Sequence, residues 1–303
     1  MTRTFVGIDF GGPSKAGRQR KKIVAIAAKT DDGRRFVVGS GGLNAPLARA
    51  KSPGRTAEEL RDALVAAQDV DVVAADFPFS LPSDLLACPE FAALVGHSSA
   101  FVNWPALSAF LGREIALTPP LHLEAFQPWR RRDRRDRYWS LRKTDREARA
   151  QPPLKDKFQV LFNMTLLGIA MLSSLRSSGY RIVPFDASPT AMPPGSRELI
   201  EVYPGAAMRS LGCADYKRSP AVALNTILEH CRTNGIFIEL ADDIRELCET
   251  YDTGHGDARD PDASDALIAL CVGILYRAGR TKALVAPADI AHIEREGVIW
   301  SVA

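Results

Sequence analysis

Four aspartates stand where carboxylates can do metal chemistry. Asp9 closes an apolar run in GIDFGG, Asp76 closes another in AADFPFSLP, and Asp262 and Asp265 open DASDALIALCVGILY. Residues three apart on a helix share a face, so the last two act as a pair. Gathering carboxylates in one place is costly through repulsion and desolvation unless a cation sits among them or some take up protons. Oxygen donors without a His or Cys cluster favour Mg2+ or Mn2+. Two such ions about 4 Å apart stabilise the attacking and leaving oxygens of an in-line displacement at phosphorus, so hydrolysis needs no protein nucleophile. Glu201, in ELIEVYPG, is a further candidate ligand or an acceptor behind the ligands. Each acid also has a structural reading: an Asp after a strand is a common turn residue, and Asp262 after Pro261 can offset a helix macrodipole.

The elements that must position these acids follow from periodicity. Residues 4–9, 22–29 and 35–39 read as three strands, the last two joined by the hairpin signal Thr30-Asp31-Asp32-Gly33. Thr56 with Glu59 forms a capping box at the head of a helix, and VDVVAAD over 70–76 has the continuous apolar character of a buried parallel strand. No strand is expected from Phe77 to about Gly179, so residues 80–179 read as a mainly helical insertion packed on a core made of 1–79 and 180–303. Strands resume at 181–185 and 198–203, and helices follow at 206–211, 221–234, 241–250 and 261–278. This order predicts an α/β protein with a mixed five-stranded sheet flanked by helices, and it resembles the RNase H-like fold. With the first and fourth strands adjacent and parallel, Asp9 and Asp76 emerge at one edge and the last helix crosses it.

A chain of 303 residues, 46% hydrophobic, buries a sizeable core, which excludes wholesale disorder. A net charge of +3 neither demands nor forbids a polyanionic partner. The five cysteines are scattered without a C-x-x-C pair and read as reduced thiols. The N-terminus passes at once into strand-like sequence, so a cytoplasmic protein is expected. Phe158 to Leu175 is interrupted by Gln159, Asn163 and Thr165, whereas a bilayer span needs about 20 mostly apolar residues; a buried helix and no membrane partner are expected. Nothing in the sequence calls for an obligate protein partner.

In chain order these motifs resemble the domain of unknown function 429 family, a predicted nuclease group of the RNase H-like superfamily. The resemblance runs through GIDFG, AADFPFSLP, SSAFVNWPAL, RKTDRE at Arg142–Glu147, EVYPGAAMRSLG, DASDALIAL and EGVIW at Glu296–Trp300. The segment from Glu201 to Leu270 is also similar to the second half of the RuvC resolvase pattern, where a strand acid, a downstream lysine and paired helix acids build the site. The resemblance implies metal-ligand positions at Asp9, Asp76, Asp262 and Asp265, and places Lys217 where a phosphate-contacting lysine is expected. One departure is LLACPEFAALVG, where the family often carries an Arg and an Asp.

The stretch WRRRDRRDRYW holds Arg130, Arg131, Arg132, Arg134 and Arg135 between aromatics, with Arg142 and Lys143 close behind. Arginines on phosphates and aromatics on bases would make a track for DNA or RNA beside the metals. Asp133 and Asp136 leave open a solvated helix of Arg/Asp pairs. Two readings also remain for the basic run Lys15–Lys22, a phosphate contact or a solvated loop, and for His255, a proton shuttle or a loop residue. The leading expectation is a hydrolase, a metal-dependent nuclease. One rival is an ATP-dependent phosphotransferase of the actin-like and sugar-kinase class, whose phosphate-binding opening GIDFGG resembles; it needs a duplicated lobe and a later glycine-rich loop, and only Gly41-Gly42 and isolated glycines follow. The other is a catalytically silent nucleic-acid-binding module, which a lost acid would signal. Charge reversal at Arg131, Arg132 and Arg135 is expected to weaken nucleic-acid binding and flatten its salt dependence in a titration over ionic strength; unchanged binding would remove the track.

Overall fold

Alternating apolar residues in RTFVGIDF make this segment a strand with two distinct faces. In the computed structural model, which describes residues 2–10, 23–39, 43, 55–114, 140–155, 161–186, 196–249 and 262–303, it is β1 (Arg3–Phe10). Val6, Ile8 and Phe10 enter one hydrophobic layer, while Phe5 enters the layer on the opposite face, toward which Gly7 and Asp9 also point. β2 (Ile23–Thr30) is antiparallel to β1, and β3 (Arg35–Val38) to β2. The turn between them is the one expected, with the Gly33 amide donating to Thr30 Oγ1 at 2.8 Å and the Arg34 and Arg35 amides to Asp32 Oδ1. The capping box is also present: the Glu59 amide donates to Thr56 Oγ1 and the Thr56 amide to Glu59 Oε2, opening α1 (Ala57–Ala66). β4 (Val70–Asp76) lies parallel to β1, and β6 (Arg197–Val202) parallel to β4.

Among the described residues the sheet has nine strands, where the sequence predicts a five-stranded sheet. The expected strand at 181–185 is the shorter β5 (Tyr180–Ile182), paired with β6. β7 (Phe237–Leu240), β8 (Thr281–Leu284) and β9 (Ile299–Val302) complete the order β7-β3-β2-β1-β4-β6-β9-β8. Four residues carry too little alternation to register as a strand. These three become strands because β3, β6 and β9 offer them edges.

Between β4 and β5 the described residues form helices and no strand: α2 (Ser83–Leu86), α3 (Pro89–Leu94), α4 (Trp104–Glu114), α5 (Lys143–Glu147) and α6 (Leu161–Ser177). α6 covers most of the apolar run noted above, and no helix among the described residues is long and apolar enough to cross a membrane. With α1, the helices α2, α3, α4 and α6 cover the face of Val6 and Ile8. The other face carries α7 (Pro204–Ser210), α8 (Pro220–Thr233), α9 (Asp242–Glu249) and α10 (Asp262–Arg277). A last short helix, α11 (Ile293–Glu296), precedes β9.

α10 is buried at every position from Asp262 to Leu275, as an almost uniformly apolar helix must be. Small residues let it lie directly on the sheet. A Cβ at Gly7 would stand 2.0 Å from the Ala266 carbonyl oxygen and 2.3 Å from the Leu270 amide nitrogen, and one at Gly273 would stand 3.0 Å from Ala74 Cβ. Since backbone cannot swing aside as a side chain can, Gly7→Ala is expected to destabilise the protein by about 1–3 kcal/mol or more in denaturant unfolding. A change near zero would mean that helix and strand separate easily.

Candidate functional site

Asp9 and Asp76 are register partners on the parallel strands β1 and β4. The first turn of α10, pressed onto β1 at Gly7, carries Asp262 and Asp265 to the same place. All four acids line one cleft with Tyr216, Lys217, Phe10 and Phe77. Asp9, Asp262 and Asp265 are buried, and Asp76 is partly exposed.

These carboxylates lack enough positive charge. Burial, followed by repulsion from Asp262, Asp76 and Asp265, holds the Asp9 carboxyl well above the usual range. Burial also raises Asp76, reinforced by Asp265 and opposed by Lys217. The proximity of the Asp262 carboxyl adds to the shift at Asp9. Asp265 is held differently. Its Oδ1 accepts from the Tyr216 hydroxyl at 2.8 Å, and its Oδ2 pairs with Lys217 Nζ at 2.8 Å. Burial opposes the Lys217 ammonium, but Asp265, then Asp76 and Asp9, outweigh it and raise its pKa. Burial and Asp265 raise the Tyr216 phenol, which stays a neutral donor.

Among the described residues, no three or more His, Cys, Asp or Glu side chains form a ready-made metal site. The donor chemistry still suits a hard divalent cation, because the candidate ligand atoms are carboxylate oxygens compensated by a single ammonium. The four acids share a cleft without converging on one point.

Two of the residues read as site groups, Glu201 and Arg142, line the same cleft but are engaged with other partners. Leu199 packs on the insertion side of β6 while Ile200 and Val202 pack on the α10 side, so alternation turns Glu201 away from the face of Asp9 and Asp76. Its carboxylate is already engaged: Oε1 accepts from Arg142 Nη2 at 2.5 Å, and Oε2 accepts from Arg142 Nη1 at 2.7 Å and the Phe79 amide at 3.0 Å. Burial raises Glu201, and Arg142 counters it. Glu201 is therefore the acceptor that braces the chain after Asp76, not a ligand with open oxygens.

Arg142, read from the sequence as a nucleic-acid contact, is 0% exposed and offers no charge to a phosphate. It donates to both Asp145 oxygens, both Glu201 oxygens and the Glu296 carbonyl. Burial opposes its charge, but Asp145 and Glu201 more than compensate and raise its pKa. Removing one partner of such a buried network costs about 3–5 kcal/mol. Lys143 turns its ammonium to Asp289 at 3.4 Å and its amide to Glu296. Arg130, Arg131, Arg132, Arg134 and Arg135, the run Lys15–Lys22 and His255 lie outside the described residues.

Sequence reasoning missed Tyr216, which directly precedes Lys217 and whose hydroxyl reaches Asp265 only because a 3-10 turn folds it inward. It also missed Asp145, although Arg142 and Asp145 have the spacing of a helical ion pair. No family model matches the chain, and neither a curated protein nor a solved structure matches it.

A carboxyl whose folded pKa is raised stabilises the fold by taking a proton. That contribution is complete below the ordinary 3.8 and is lost as pH rises through the raised value. Chelator-treated Asp9→Asn is therefore expected to melt above the wild type at neutral pH, with the difference closing as pH falls toward 3.8. Identical melting at neutral pH would mean that Asp9 feels no uncompensated repulsion.

Proposed function

We propose that this protein is a divalent-metal-dependent nuclease that hydrolyses phosphodiester bonds on an RNase H-like fold. The observation that carries this reading is the Asp9 and Asp76 register pair with Asp262 and Asp265 at the same cleft. The strand order β3-β2-β1-β4-β6, antiparallel through β2 and parallel from β1 to β6, supports an RNase H-like core, with β5, β7, β8 and β9 as additions. The resemblance to the domain of unknown function 429 family and to the RuvC pattern supports the same reaction class.

Asp9, Asp76, Asp262 and Asp265 would hold Mg2+ or Mn2+, which when bound supplies Lewis acidity toward a phosphoryl oxygen and lowers the pKa of a coordinated water. Lys217, with 46% of its side chain exposed, is placed to contact a non-bridging phosphate oxygen. Tyr216 fixes the orientation of Asp265 through its hydroxyl. Phe10, Phe77, Leu161 and Met164 line the cleft with apolar surface that excludes water around the backbone being cut. Glu201 and Arg142 hold the chain after Asp76 in place from the opposite face of the sheet.

Cleavage assays with Mg2+ or Mn2+ over single-stranded, duplex, hybrid and branched DNA and RNA test the reading. Hydrolysis of at least one substrate is expected, with Asp9→Asn and Asp265→Asn each falling to background while remaining folded. Full activity in folded Asp265→Asn would reduce that residue to a structural acid. Phosphoryl transfer from ATP without nucleic-acid cleavage would favour the phosphotransferase.

A further inference from the structure

Three cations among the described residues line the cleft, and only one of them meets the four acids. Arg142 is consumed by Asp145 and Glu201, and Arg209 donates to the Ala148 carbonyl while lying over the Tyr203 ring. Lys217 alone, among the described cations lining the cleft, pairs with one of the four aspartates.

We propose that Lys217 is an internal counter-cation that a divalent metal must displace from Asp265. This rests on the nuclease reading and adds to it how the site is kept closed before metal enters. The ammonium takes the Asp265 oxygen that a metal ion would need, while its charge is also felt by Asp76 and Asp9.

The exchange is mechanically simple. Tyr216 is buried, packs in the core and bonds the other Asp265 oxygen, so the turn Tyr216–Arg218 stays anchored. Lys217 is the accessible partner, since its side chain is 46% exposed while that of Asp265 is 4% exposed. Its flexible stem lets the ammonium swing to the cleft mouth without moving backbone, and its compact charge is readily rehydrated there. Metal entry thus delivers an ammonium to the mouth, where a phosphate of the substrate would arrive. Cation and metal compete for one oxygen, so removing the first must strengthen binding of the second. A lysine that merely supported the site would have the opposite effect when removed.

Calorimetric titration of the full chain with Mn2+ alone separates these outcomes. Lys217→Met is expected to bind Mn2+ at least about fivefold more tightly than the wild type, a coupling of ordinary size between sites. Lys217→Gln, suited to a half-exposed position, should shift the same way if the methionine variant folds poorly, and Lys217→Arg should stay near the wild type. Weaker or unchanged Mn2+ binding in the uncharged variants, with Asp9-dependent binding in the wild type, would overturn the counter-cation and leave the nuclease reading intact. Absence of Mn2+ binding from the wild type and all variants would overturn the nuclease reading itself. Binding by Lys217→Met alone would show the competition in its strongest form.

Discussion

At Gly7 the helix Asp262–Arg277 touches β1 backbone to backbone, and a methyl group there would lie 2.0 Å from the Ala266 carbonyl oxygen. That approach sets the height of the helix above the sheet. Asp265 precedes Ala266 by one residue and Asp262 by four, so their distance from Asp9 and Asp76 follows from it. The helix can sit this low because its surface is apolar on all sides and its neighbours on the sheet are glycine and alanine. Close packing of this kind transmits errors as well as order, since a core at crystalline density has no slack to absorb one added carbon.

The protein buries carboxylates in two contrasting ways. Beneath β6, the Arg142 guanidinium binds Glu201 and Asp145 with paired hydrogen bonds, and all four carboxylate oxygens are engaged. On the other face, Asp9, Asp76, Asp262 and Asp265 share one ammonium, and the deficit appears as Asp9 and Asp76 carboxyls raised above their usual range. A fold can satisfy its buried charges, as the Arg142 network shows. Leaving four acids undercompensated a few residues away is the kind of local conflict expected where function, not stability, sets the sequence.

The insertion and the chain terminus are stitched together behind the cleft. The Ser83 amide donates to Glu296 Oε1 and the Lys143 amide to Glu296 Oε2, while Thr144 Oγ1 donates to the Leu284 carbonyl and accepts from the Ile299 amide. Two motifs far apart in sequence, RKTDRE and EGVIW, thereby form a single structural unit. The charged residues of RKTDRE resemble a nucleic-acid contact in one dimension and become a clamp in three.

Much of the central fold was legible in the sequence. Alternation in β1, the turn at Asp32-Gly33, the capping box at Thr56 and the apolar run of β4 are local signals, produced by side chains acting on their own backbone. They were enough to set the first and fourth strands side by side and to bring the helix acids toward Asp9 and Asp76. The short strands β7, β8 and β9 were not legible, because four residues form a strand only when a neighbouring edge supplies the hydrogen bonds. The partners of charged groups were equally hidden. Sequence determined which residues carry charge, but only the tertiary structure decided that Arg142 spends its charge on Glu201 and Asp145, that the Glu201 oxygens are taken by Arg142 and the Phe79 amide, and that Lys217 rests on Asp265. Coulomb interactions depend on distance through space, and distance through space is what a linear chain does not state.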